Sequence, residues 1–211
     1  PGGVPVATVA LNGAKNAALG SGALLTMNPA TDADTFNVAV GYEAGRNVTT
    51  GIRNTIVGAE AGDALTDADH NVALGFRALS GDTKGSKSIA IGDVALFSQN
   101  FTTSTSAYNV AIGHEAGNAV TTGVQNTLIG SLAGDALTDA DFNTVIGMNA
   151  LTTDTLGSRS TAIGYQALAV QNFTSATNSY NVAVGHQAGS EVTTGIQNTI
   201  IGGLAGTQGT D

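Results

Sequence analysis

Apolar positions in this chain return on a fixed interval. A glycine preceded by Leu, Val or Ile and followed three residues later by Ala stands at positions 20, 41, 58, 75, 92, 113, 130, 147, 164, 185 and 202. The intervals read 21, 17, 17, 17, 21, 17, 17, 17, 21, 17, so a longer coil follows each run of three and the stretch from Gly41 to Gly113 is one unit of a super-repeat. A period this short means one supersecondary unit stacked many times. Each glycine closes a run such as Asn37-Val38-Ala39-Val40-Gly41, whose aliphatic, β-branched content and bounding glycine predict a strand. Val38 and Val40 share one face of that strand and Ala39 takes the other, so both faces are apolar. One face must line the coil's own core, and the other asks for burial against a second body. The small face suits close approach about an axis, which makes Ala39, Ala111 and Ala183 candidates for the interface of a parallel homomer.

Other columns complete the coil. Four residues after the glycine stands Gly45, Gly62, Gly117, Gly134, Gly189 or Gly206, and elsewhere Leu24, Leu79, Leu96, Leu151 or Leu168. Glycine suits a corner with positive φ, so the Leu coils are expected to turn differently and tuck Leu inward. Four residues before the glycine the chain has Asn, or Ser at 88 and 160. Two structural readings stand for that column: a turn preference before the strand, and a ladder of stacked amides. At the usual strand spacing eleven coils make a rod roughly 50 Å long.

Composition narrows the functional classes. Of 211 residues 29 are glycine, 11% are charged and none is tryptophan or cysteine. The absence of cysteine excludes disulfides and thiolate metal sites. The net charge is −9, and the seven basic residues never form a run. Nucleic acid and anionic lipid, which need clustered cations, are therefore poor partners. No apolar stretch reaches the length of a membrane-spanning helix. The chain opens at Pro1 and stops inside a repeat, and reads as a fragment of a longer protein: residues 1–15 a leading segment, 16–211 the repeat domain.

The runs Asn-Thr-Ile-Val-Gly-Ala-Glu-Ala-Gly (54–62) and Ser-Thr-Ala-Ile-Gly-Tyr-Gln-Ala-Leu (160–168) resemble the head repeats of trimeric autotransporter adhesins. They are still more similar to the Asn-Thr-Ala-Ile-Gly-Tyr-x-Ala-Leu repeats of bacteriophage tail fibres. The resemblance spans residues 16–206. It implies a left-handed parallel β-roll with three chains around one axis. Adhesin-head coils are shorter than these and lack the longer fourth coil, which tilts the resemblance towards the phage fibres. The self-cleaving chaperone domain that often ends such fibres is not visible in this chain.

Several motifs carry candidate chemistry. Thr-Asp-Ala-Asp at 31–34, 66–69 and 138–141 places Asp32 and Asp34, Asp67 and Asp69, and Asp139 and Asp141 one residue apart in turns. Such pairs suit Ca²⁺, or bond turn amides with no metal at all. His114 and His186 fall at the same place in successive units, with Tyr42 at the third equivalent, a swap that favours packing or display over catalysis. Val-Thr-Thr-Gly recurs at 48, 120 and 192, too sparsely for an ice-binding face. The long coils gather Phe97, Phe101 and Tyr108, then Phe173 and Tyr180, either as loop anchors or as receptor-facing aromatics. Repetition from unit to unit describes a scaffold, with no unique titratable cluster for an enzyme and no cofactor. The expectation is an all-β parallel β-solenoid, a homotrimeric fibre shaft in an extracellular setting. It would serve a phage tail fibre or, alternatively, a bacterial adhesin head, with a host glycan or protein as the further partner.

Overall fold

The computed structural model describes residues 15–27 and 34–207; of the leading segment only Lys15 falls within them. Eleven three-residue strands follow the glycine period: β1 (Ala17–Leu19), β2 (Val38–Val40), β3 (Thr55–Val57), β4 (Val72–Leu74), β6 (Ile89–Ile91), β8 (Val110–Ile112), β9 (Thr127–Ile129), β10 (Thr144–Ile146), β12 (Thr161–Ile163), β14 (Val182–Val184) and β15 (Thr199–Ile201). They form one parallel sheet in chain order, so each coil lies on the one before it. Pairing is in phase with the repeat: Ala39 faces Ile56, and Ala111 faces Leu128. Two small ladders join the second and third long coils to their predecessors: β5 (Gly85–Ser86) with β7 (Thr105–Ser106), and β11 (Gly157–Ser158) with β13 (Thr177–Asn178). The all-β parallel solenoid is the predicted fold.

The strand faces are the reverse of the sequence reading. Ala39, Ala111 and Ala183 are completely enclosed by their own chain, while Val38, Leu74 and Ile146 on the opposite face are exposed. The alanines are therefore core, and not candidates for contact with another copy. The cause is the width of the coil. Its interior already holds the Ala column three residues after each glycine together with the corner Leu or Gly, leaving little room for the strand's inward residue. That residue is largest, as Ile56, Leu128 or Ile200, where its own corner and the preceding one are both glycine. A Cβ on Gly117 would stand 2.6 Å from Leu128 Cδ1, and one on Gly45 2.8 Å from Ile56 Cδ1. It is Ala73, Ala90 or Ala162 where the same coil carries Leu79, Leu96 or Leu168. Ala39, Ala111 and Ala183 follow the corner leucines Leu24, Leu96 and Leu168 of the preceding coil, so side-chain volume is shared between neighbouring coils, as a close-packed interior demands.

The corners also correct an expectation. Leu24 and Leu96 have φ of 49°, against 58° at Gly45 and Gly117. Leu and Gly coils thus turn in the same left-handed conformation, although the leucines do point inward as predicted. Positive φ recurs at four places per coil: five before the glycine, at the glycine, and two and four after it. Along the corner, bonds within a coil alternate with bonds between coils. Ala44 N–H donates to Gly41 O, Gly45 N–H to Ala61 O, and Arg46 N–H to Glu43 O. The hydrogen-bond ladder therefore continues around the bend, which satisfies backbone groups that a loop would leave to water.

The Asn column is the ladder. Asn54 N–H and Nδ2 both donate to Asn37 Oδ1, at 2.8 and 3.1 Å, and Asn71 N–H donates to Asn54 Oδ1 at 2.9 Å. These side chains are fully buried. At the long coil the column is interrupted and Gln99 fills the gap: its Nε2 donates to Ser88 Oγ at 3.1 Å, and its Oε1 accepts from Asn109 Nδ2 at 2.8 Å. Gln99 Nε2 also donates to the buried Asp82 Oδ2 at 2.6 Å. Asp82 Oδ1 in turn accepts the amides of Gly85 and Phe101, both at 3.0 Å. Asp154 and Gln171 rebuild the same network in the following unit.

Candidate functional site

The outward face of the main sheet is the largest chemical feature the fold presents. It is built from residues one and three before each glycine, which are aliphatic or Thr, with a single Ala17, and never charged. None of them is buried in the single chain. Two columns flank this stripe. Five residues before the glycine stand the exposed rings of Phe36, Tyr108, Phe142 and Tyr180, interleaved with cations. Lys87 Nζ lies 5.0 Å from the Tyr108 ring centroid and donates to its hydroxyl at 3.1 Å, which lowers that phenol's pKa. The Arg159 guanidinium lies 4.5 Å from the Phe142 centroid. One residue after the glycine stand Tyr42, Phe76, His114, Met148, Tyr165 and His186, all outward. Tyr165 and His186 stack at 5.2 Å. An aliphatic strip with aromatic borders thus runs past all eleven strands.

The five long-coil aromatics do not converge. Phe101 and Phe173 are 6% and 7% exposed and pack against Gly85 and Gly157, so they anchor the longer loop and are not receptor-facing. Tyr108 and Tyr180 belong to the border column beside the stripe. Phe97 lies apart from them, in a cavity at the corner of its coil. The exposed tips of the second and third long coils are Thr102-Thr103-Ser104 and Thr174-Ser175-Ala176.

The acidic turns are occupied by the protein's own donors. Asp69 Oδ1 accepts Ile52 N–H at 2.8 Å, and Asp141 Oδ1 accepts Val124 N–H at 2.7 Å. Asp139 accepts the Thr122 hydroxyl at 2.6 Å, Asp67 the Thr66 hydroxyl at 3.2 Å, and Asp34 pairs with Lys15. Asp32 lies outside the described residues. Among the described residues no three His, Cys, Asp or Glu come together as a metal cage. His114 is exposed, 3.7 Å from Asp93 and 3.6 Å from Glu115. Val48 and Val120 of the Val-Thr-Thr-Gly runs are core residues.

Sequence reasoning missed the buried Asp82–Gln99 and Asp154–Gln171 pairs. A signal for them existed: Asp and Gln replace Val or Leu seven residues after the glycine in the coils whose corner is Leu. The first unit carries Ala10 and Met27 at those positions, so both partners are apolar together there. Among the described residues no helix is long and apolar enough to cross a membrane. Compared with family models, curated proteins and solved structures, the chain matches none.

Proposed function

We propose that this chain is the shaft of a fibre, three copies packed in parallel through the outward sheet face, holding an attachment device away from its base. The observation that carries the reading is the uncharged strip of aliphatic and Thr side chains, continuous over eleven strands and unburied in a single chain. Contiguous apolar surface of that extent marks an interaction site. A strip on a stack of regular coils is matched best by an identical strip, because every coil then meets a coil of the same pitch. Three-fold packing and a left-handed roll follow the resemblance to phage tail-fibre and adhesin-head repeats. The regular long coil favours the phage fibre, whose setting is the virion, and the adhesin head is the second reading. The function is mechanical: backbone and amide ladders running along the rod resist bending and unfolding, and no reaction is assigned. Contact with a host glycan or protein would fall to exposed side chains off the strip.

Light scattering behind size exclusion tests assembly. The expected mass is about three times 20.9 kDa. Ile112→Glu with Ile163→Glu, on the outward face, should yield folded monomers with unchanged far-UV circular dichroism. Ala111→Gln with Ala183→Gln should instead unfold the chain, since those positions are sealed in the core. A wild-type mass of 20.9 kDa, or a Glu variant that stays assembled, overturns the proposal.

A further inference from the structure

The two columns that border the outward strip vary together. Five residues before the glycine, every position is exposed and none is a carboxylate. Lys15, Arg53, Lys87 and Arg159, four of the seven basic residues of the chain, stand in this one column. The other border, one residue after the glycine, carries Asp93 and no Lys or Arg. Coils with a ring on the first border have a ring or Met on the second: Phe36 with Tyr42, His70 with Phe76, Tyr108 with His114, Phe142 with Met148, and Tyr180 with His186. Lys87 shares its coil with Asp93 and Arg159 with Tyr165, and the remaining coils have only Ser, Ala or Gly on the second border.

Contact within one chain does not account for this matching. The matched residues lie on opposite sides of a three-residue strand that is itself about 10 Å long. The contacts each border makes run along the rod instead. Lys87 Nζ donates to Ser106 Oγ and Tyr108 Oη in the following coil. The Arg159 guanidinium lies 4.5 Å from the Phe142 centroid in the coil before and 5.9 Å from the Tyr180 centroid in the coil after. Tyr165 stacks on His186 of the next coil. Positions that vary together are positions in contact, and here the contact has to come from another copy.

We propose that copies of the chain join border to border: the column five before the glycine on one copy packs against the column one after it on the next, each coil meeting its own counterpart. This rests on the reading of parallel copies and adds which flanks meet and at what height. Unlike borders in contact make a head-to-tail interface, in which each copy uses both flanks and the set closes into a ring. Rings meet rings, the Arg159 cation covers Tyr165 of the neighbouring copy, and Lys87, held in its own chain by two neutral oxygens, meets the half-exposed Asp93. A shift of one coil destroys the match, since Tyr108 would face Ser131 or Asp93, and Phe36 would face Ala59 or Ser21. An antiparallel pair lays like borders together and sets the four cations against the same four, which like-charge repulsion opposes. The borders thus specify direction and height, which the nearly uniform strip between them does not.

Cross-linking of the full chain, which has no cysteine of its own, tests the contact. Tyr108→Cys with His114→Cys places one thiol on each border of a single coil. Mild oxidation should give covalent dimers and trimers on non-reducing gels, because a disulfide requires Cα atoms within about 7 Å. Either single variant, or Tyr108→Cys with Ser131→Cys one coil out of step, should give none. Asp tolerates the positive φ of Lys87, so Lys87→Asp should stay folded while the concentration at which the assembly dissociates rises about tenfold. Adding Asp93→Lys should restore it. Light scattering on the reduced samples keeps the two readings apart. A monomeric wild type defeats the shaft and this contact together. An assembled Tyr108→Cys, His114→Cys chain that forms no cross-link, or cross-linking only in the Ser131 pairing, overturns the border contact alone. If the double-cysteine chain does not assemble, the charge swap decides, and a Lys87→Asp defect that Asp93→Lys leaves uncorrected overturns the proposal.

Discussion

Asp82→Ala removes the acceptor on which one long coil is hung. Two backbone amides, Gly85 and Phe101, lose their partner, and Gln99 Nε2 keeps only Ser88. Asp82 is fully buried, so water does not replace the lost bonds without opening the coil. A buried donor left unmade costs about 1–3 kcal/mol, and the network stands to lose two donors outright and half of a third. Relief from burying a carboxylate offsets part of this, leaving about 3–5 kcal/mol, the range for breaking a buried charged network from one side. With a urea dependence of about 2 kcal/mol per M, the midpoint should fall by roughly 2 M. The loss should be local in origin. Hydrogen exchange at the Phe101 amide should quicken in the variant more than at Phe173, whose partner Asp154 is untouched. A midpoint shift equivalent to less than about 1 kcal/mol, or a Phe101 amide as protected as before, would refute the account of the long coil.

Two further outcomes follow from other features. Val94 sits at φ 50°, a conformation hostile to a β-branched side chain, where the same column holds Asn149 at φ 56°. Val94→Asn should stabilise by about 1 kcal/mol, raising the thermal midpoint by about 2–4 °C, and a lowered midpoint would contradict it. Burial raises the carboxyl pKa values of Asp82, Asp63 and Asp135 above 3.8. The folded chain therefore binds more protons than the unfolded one between 3.8 and those raised values. The resulting stability is complete below the unfolded value and is lost as pH rises through the folded ones. Urea midpoints should rise as pH is lowered through the raised values towards 3.8, less steeply in Asp82→Asn; a midpoint that falls over that interval would count against it.

Much of the fold could be read from the chain because stacking repeats a physical demand. The glycine column and the alanine three residues on recur at every coil, and Asn at all but two, where Ser88 and Ser160 stand, so each is seen many times over. Which strand face is inward could not be read, since both are apolar. The usual rule that large residues go inside fails here because Leu79 or Leu96, from the corner, already fills the narrow interior opposite Ala73 or Ala90. The left-handed corners occupied by Leu, Glu and Tyr were hidden for a related reason. Propensity assigns positive φ to Gly and Asn, yet here the inter-coil ladder imposes it on whatever side chain stands in the column. The corner cavity was legible only as a departure: Glu60, Arg77 and Phe97 differ from their counterparts in the following unit, and only the fold brings the three to one corner.

A chain of near-identical coils faces a problem of counting. If coils were interchangeable, a nascent rod could mispair by one turn at the loss of little more than an end. The buried Asp82–Gln99 pair makes that error unfavourable, because a slip of one coil would set the Asp82 carboxylate or the Gln99 amide against a position such as Leu65 or Val120. The least disruptive misalignment is then a whole unit, from Gly41 to Gly113. Two polar pairs in an apolar column act as page numbers, telling the folding chain which turn it is on.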